Sequence, residues 1–192
     1  MLFANIPSPA FVISAIGESM LSSKVAGVML YFILILVSFL IGLAQKFFAK
    51  DEPRSQSAVK SEISFASSVA SSISSAGASM INLCASVVFF SVLTKTVLFV
   101  LGGLLDSELL AALIGCIFEL SGGCSAASEL GGRAALALIA FSLGWSGFCV
   151  HFQVISAVGV KMKLGAYFAL KLIAGLASCA LALLFSSLFG IF

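Results

Sequence analysis

Charge is what this sequence has least of. Only 9% of its 192 residues are Asp, Glu, Lys or Arg, against about 25% in an ordinary soluble domain. With 61% hydrophobic residues and a mean hydropathy of +1.21, a water-soluble form would expose apolar patches beyond those that soluble monomers carry. That excludes a soluble globular domain. The few charges form no basic patch, which argues against nucleic acid as a partner. There is one histidine, His151, and no cluster of ligand types, so neither a zinc centre nor any other metal or cofactor site is expected. Cys84, Cys116, Cys124, Cys149 and Cys179 lack CxxC spacing and read as small packing residues rather than a disulfide framework. The first nine residues contain no Lys or Arg, and Asn5-Ile6-Pro7-Ser8-Pro9 would break an early helix, so this end does not read as a signal peptide.

What is present is a set of long uncharged runs. Residues 25–45, 63–94, 134–160 and 172–192 contain no Asp, Glu, Lys or Arg. Each is about 20 residues or longer, the length a helix needs to cross a hydrocarbon core of roughly 30 Å. Barrel strands would alternate over about 10 residues instead. The expected fold is all-α: a polytopic helical membrane protein with about four full spans plus re-entrant or broken half-helices. The chain, 1–192, reads as a single membrane domain. Residues 1–48 supply a break, a half-helix and a first span, 49–62 a cytoplasmic loop, and 63–192 a helical region.

Along the chain, Ala10–Leu21 is apolar but too short to span, and Val25–Phe48 is a full span. Lys50-Asp51-Glu52-Pro53-Arg54 marks a solvated loop. A long helical stretch runs from Lys60 to Leu101, with Met80–Leu101 crossing the membrane. Its first part repeats serine every three or four residues, from Ser64 to Ser79, a helical period. Such a stripe serves either close helix packing or a polar solute path. Gly102-Gly103 ends this helix, and Asp106-Ser107 can cap the next. Glu108–Leu120 is short, stops at Ser121-Gly122-Gly123, and gives way to a polar stretch reaching Gly132. Arg133 opens a span to about Val160, interrupted at Gly144-Trp145-Ser146-Gly147. Leu164–Phe192 is the last span.

The positive-inside rule sets an orientation. Lys46, Lys50, Arg54 and Lys60 mark one cytoplasmic loop, and Lys161 with Lys163 another. The span directions agree if Glu108–Gly132 returns to its own side as a hairpin.

Ionisable groups inside spans are costly and therefore functional candidates. Glu119 precedes the Ser-Gly-Gly break, and Glu129 follows in the same segment. His151 and Gln153 lie deep in a span. Lys95 and Lys171 suit snorkelling toward an interface equally well. Helices that break at membrane depth, here at 5–9, 121–125 and 144–147, leave backbone groups that only a protein-lined or water-filled cavity tolerates. Secondary transporters hold solutes at such breaks, and half-helix N-termini attract anions.

Gly144-Trp145-Ser146-Gly147 also looks like the GxSG of intramembrane serine proteases. On a continuous helix, however, Ser146 and His151 would point about 140° apart. Phe148 rules out a GxSxG elbow. The expectation is that the chain is not an enzyme.

Phe118-Glu119-Leu120-Ser121-Gly122-Gly123-Cys124, followed by Gly144-Trp145-Ser146-Gly147-Phe148-Cys149-Val150-His151-Phe152-Gln153-Val154, resembles the YlbJ-type sporulation integral membrane proteins. These carry the nucleoside-recognition, or Gate, domain. Asn5-Ile6-Pro7-Ser8-Pro9 is similar to their Asn-x-Ser-Pro break, with one residue inserted, and Ser121-Gly122 stands where Asn-Gly is usual. The resemblance covers nearly all of the chain but leaves out the family's N-terminal spans. It implies a multi-pass protein of the bacterial cell or forespore membrane that moves a small organic anion of the dipicolinate kind. By position, Glu119, Ser121, Gly122, His151, Gln153, Asn5 and Ser8 would bind the solute. A partner half or a homo-oligomer would complete the path. The alternatives are a non-transporting membrane scaffold of spore maturation, and a permeation gate for nucleosides or cations with Glu119 and Glu129 facing a pore.

Overall fold

The computed structural model describes residues 6–48, 64–102, 107–158 and 164–191. Within them every element is helical. A short π-wound helix, π1 (Ala10–Met20), precedes α1 (Lys24–Phe48) and α2 (Phe65–Leu101). Then come α3 (Glu108–Phe118), α4 (Leu120–Glu129), α5 (Gly132–Trp145), α6 (Gly147–Val158) and α7 (Leu164–Phe189).

Four helical stretches are long and apolar enough to cross a membrane: Lys24–Phe47, Phe65–Leu101, Gly132–Ser156 and Leu164–Phe189. The third consists of α5 and most of α6, joined across Ser146. The expected all-α, multi-span architecture is therefore the one found. Phe32, Phe39 and Leu40 on α1 stay at least half exposed, an apolar outer face that suits lipid rather than water.

The core lies where α5 packs along α7, with α1 and π1 behind them. Ile16, Leu30, Ile33, Leu136, Ile139 and Leu143 are fully buried there. Small residues allow the close approach of α5 and α7. A Cβ built on Gly144 would lie 2.6 Å from the carbonyl oxygen of Ala174 and 2.8 Å from Cα of Gly175. This is backbone-to-backbone packing, the means by which helices gain dispersion energy in lipid.

π1 falls where a short apolar helix is expected, but it is wound wider than an α-helix. Leu21 N donates to Ile16 O at 2.9 Å, a five-residue step. The helix folds back on α1, its Gly17 set against Gly27.

The segment after Glu119 differs from expectation. In place of a break at 121–125 and a polar stretch to Gly132, residues 120–129 form α4, and the interruption is the single residue Glu119. Gly122 and Gly123 lie inside the helix. Gly123 sits flush against α3, where an added Cβ would lie 2.5 Å from the backbone of Cys116. Glycine here serves contact rather than chain breaking. α3 and α4 fold back on one another, as the hairpin expectation requires.

Among the described residues, the serine stripe of α2 is largely exposed, with Ser79 at the edge of a cleft shared with Gln153. Ser72 and Ser79 donate to carbonyls one turn back in their own helix, and Phe90 is the one buried residue of α2. Phe90 meets Phe152 of α6 at 5.4 Å between ring centroids. Ser107 gives α3 backbone acceptors only, with no side-chain cap. The loop at 49–62, Gly103, Asp106, Lys161 and Lys163 lie outside the described residues.

Candidate functional site: the crossing of two broken helices

The helix pairs α3/α4 and α5/α6 break at the same place. Glu119, with φ −140° and ψ 128°, is extended between α3 and α4. Ser146 separates α5 from α6 in the left-handed region, with φ 77°, and Gly147 follows at φ 73°. A Cβ on Gly147 would lie 3.2 Å from Leu120 N and 3.3 Å from Phe118 O. The second break therefore rests on the backbone of the first.

A break frees backbone groups that must find partners. The freed carbonyls of α3 are met by α5. Trp145 Nε1 donates to Ile117 O at 3.1 Å, and Ser142 Oγ makes a longer contact with Cys116 O, 3.5 Å. The freed amides of α4 are met by Glu119 itself. Its carboxylate accepts from Ser121 N at 2.8 Å and Gly122 N at 2.5 Å. A buried carboxylate on a helix N-terminus is favourable both as a cap and against the helix dipole. The anion position at α4 is thus held by the protein's own side chain.

On the other side of the crossing, Ser146 is buried and Lys171 of α7 reaches it, Nζ donating to Oγ at 3.0 Å. Lys171 is itself buried, 5% exposed. It does not snorkel. Lys95, the other intramembrane lysine, lies exposed on α2.

His151 follows Ser146 by a little over one turn of α6 and is fully buried. Its Nδ1 lies 3.0 Å from the Tyr167 hydroxyl. Trp145, Phe168, Tyr167 and Phe148 ring it, with centroids at 4.4, 5.1, 5.3 and 6.2 Å. Among the described residues, Nε2 has no hydrogen-bond partner.

The expected site residues therefore divide. Glu119, His151 and the backbone of Ser121 and Gly122 belong to the crossing and its surround. Gln153 turns away from His151. Its amide contacts Cys149 Sγ at 3.3 Å and lines a polar cleft of about 410 Å³ with Ser79, Asn82 and Ser156. Ser8 is exposed, and its hydroxyl accepts from Phe11 N at 3.2 Å at the start of π1. Asn5 lies outside the described residues, although Ile6 and Pro7, beside it, line a cavity with Gly144 and Lys171. Glu129 is exposed at the far end of α4 from Glu119, so the two carboxylates share no ring.

Sequence reasoning missed Ser146 with Lys171, His151 with Tyr167, and Ser178. The available signal was an ionisable residue inside a span. Lys171, Gly175 and Ser178, at steps of four and three, mark one small, polar face of α7. A lysine donating to a serine is also the arrangement of Ser–Lys hydrolases. Here the cavity beside Lys171 holds only about 20 Å³, room for one water rather than an ester or amide.

No protein-family model, curated protein or solved structure matches this chain significantly.

Proposed function

We propose that this chain is a membrane transporter, or a permease subunit, for a small organic anion, with the crossing of its two broken helices as the solute site. The observation that carries this reading is the stacking of Gly147 on the backbone at Glu119. Irregular backbone at membrane depth is tolerated where it is buried in protein or lines a cavity, and secondary transporters hold solutes at such breaks. With about 1.5 Å of rise per residue, the 11 residues of α3 reach roughly half of a 30 Å hydrocarbon core. Both breaks then sit near the midplane, the usual depth of a transporter's site.

Two further features support an organic solute. A groove of about 630 Å³ opens beside the crossing between α2 and α6, lined by Phe90, Phe118, Phe148 and Phe152. Its aromatic walls suit a planar ring. The resemblance to the YlbJ-type sporulation proteins adds dipicolinate as the solute and the bacterial cell or forespore membrane as the location. The largely exposed serine face of α2 suits a second membrane segment or a second copy of the chain packed against it.

The test is dipicolinate uptake into proteoliposomes containing the purified chain, alone and with additional spans supplied. Uptake that disappears in Glu119→Ala and His151→Ala, with both variants inserted and folded, is the expected result. Unchanged uptake in both would remove the crossing as the solute site. The non-transporting scaffold is favoured by one observation, the outward serine face of α2. It predicts stable self-association or partner capture through that face, with no uptake under any reconstitution.

A further inference from the structure

Lys171 is a cation buried in the protein interior, and its one hydrogen-bonding partner among the described residues, Ser146, is neutral. Its Nζ donates to Ser146 Oγ, while an ammonium carries three donors. Among the described residues the ion pair present is the surface pair Lys24–Glu18, 3.2 Å. The buried Glu119 carboxylate is already bonded by the amides of Ser121 and Gly122. A charge taken out of water without a counter-charge is strongly unfavourable, and more so in a membrane interior.

The space beside this cation is built rather than incidental. Lys171 and Ser178, seven residues apart and so on one face of α7, line the same cavity together with Gly144, Leu143, Val37 and Pro7. Ser178 is 1% exposed, and among the described residues its hydroxyl has no partner. Gly144 also keeps the wall low there, since a Cβ on it would lie 2.8 Å from Ser178 Oγ. The cavity, about 20 Å³, has room for one water-sized group. Ser38 of α1 adds a further hydroxyl to the lining, and the other walls, Leu34, Val37, Ile41 and Leu143 among them, are aliphatic.

We infer that Lys171 and Ser178 form a binding site for a small anionic group, a halide or one oxygen of a carboxylate, in the cavity between α5, α7 and the Pro7 segment. The ammonium supplies the charge and the free hydroxyl a second donor. Gly144 supplies the space. As a statement about binding, this stands apart from transport. As the charge that selects anions for the path, it rests on the transport reading.

The chain contains a single tryptophan, Trp145, next to Ser146 and 7% exposed. The test is bromide quenching of its fluorescence in the purified full chain in detergent, at ionic strength held constant with a bulky sulfonate. Chloride NMR linewidth under the same conditions gives a second, direct readout. The expected result is saturable quenching and chloride broadening, both lost in Lys171→Met and retained in Lys171→Arg. Ser178→Ala is expected to weaken binding by about tenfold, the scale of one charge-assisted hydrogen bond. Saturation that is absent, or unchanged in Lys171→Met and Ser178→Ala, would overturn the site. If Lys171→Met does not fold, Lys171→Gln takes its place, and Ser178→Ala removes the second donor alone. Displacement of bromide by acetate supports the carboxylate role. Displacement by chloride but not acetate overturns that role while leaving a halide site. Binding that persists in a chain that transports nothing separates failure of the transport reading from failure of this one.

Discussion

Gly147 sits against Leu120, so close that a Cβ on it would lie 3.2 Å from the leucine's backbone nitrogen. It does so at φ 73°, a conformation side chains rarely adopt. Gly147→Ala therefore meets both backbone strain and a tight contact, and is expected to cost about 1–3 kcal/mol. Gly165, in α7, has open space where a Cβ would go. Gly165→Ala is expected to be neutral or to stabilise by up to about 1 kcal/mol. Thermal unfolding in detergent compares the two. Equal melting temperatures would mean that the helix crossing is not rigid.

Glu119 caps the helix that it precedes. Glu119→Ala is expected to destabilise by about 0.5–2 kcal/mol, the usual loss for a cap. Glu119→Gln keeps one carbonyl acceptor and is expected to fall between Ala and wild type. If Gln restores stability but not uptake, the charge acts on the solute path as well as on the helix. Restoration of both would limit Glu119 to capping.

The spans were legible because their signal is local. An uncharged run of spanning length is visible without knowing what it touches, and 25–48 and 164–192 emerged within a few residues of α1 and α7. The interruption at Ser146 was legible for the same reason, since Gly144 and Gly147 bracket it. The position of the other break was not. Ser121-Gly122-Gly123 reads as a breaker from propensity, yet Gly123 lies inside α4, and it is glycine because the backbone of Cys116 leaves no room for a side chain there. Tertiary contact overrode local preference. The pairing of Ser146 with Lys171 spans 25 residues and depends on how α5 lies on α7, which no local pattern records. Gln153 misled for a related reason: two residues from His151 on a helix, it necessarily faces elsewhere.

His151 is the only histidine and is enclosed by aromatic rings, its Nε2 without a hydrogen-bond partner among the described residues. Diethyl pyrocarbonate modification, followed by mass spectrometry, reads its accessibility without interference from other histidines. In the resting protein it is expected to react far more slowly than a free imidazole. Addition of a transported solute is expected to speed the reaction, because movement at the crossing has to open the cage of Trp145 and Tyr167. Rapid modification at rest would mean that the cage is already open in solution.

Ser146 separates the transport reading from an enzymatic one. Its φ of 77° is a glycine conformation held by a serine, at a strain of about 1–3 kcal/mol. Against that, its hydroxyl accepts one hydrogen bond from Lys171, typically worth about 1.5–3 kcal/mol when one partner is charged. Ser146→Gly relieves the first and loses the second, so its melting temperature is expected to stay close to wild type. Ser146→Val keeps the strain, loses the bond and leaves Lys171 without a protein acceptor, so it is expected to be the least stable of the three. A nucleophilic serine would be labelled by a fluorophosphonate probe, and the label would vanish in Ser146→Gly. The enclosed hydroxyl and the water-sized cavity beside it lead to the expectation of no labelling in either protein. Stoichiometric labelling at Ser146 would instead mean that the Ser146–Lys171 pair performs chemistry, and that the crossing opens wide enough to admit a substrate to it.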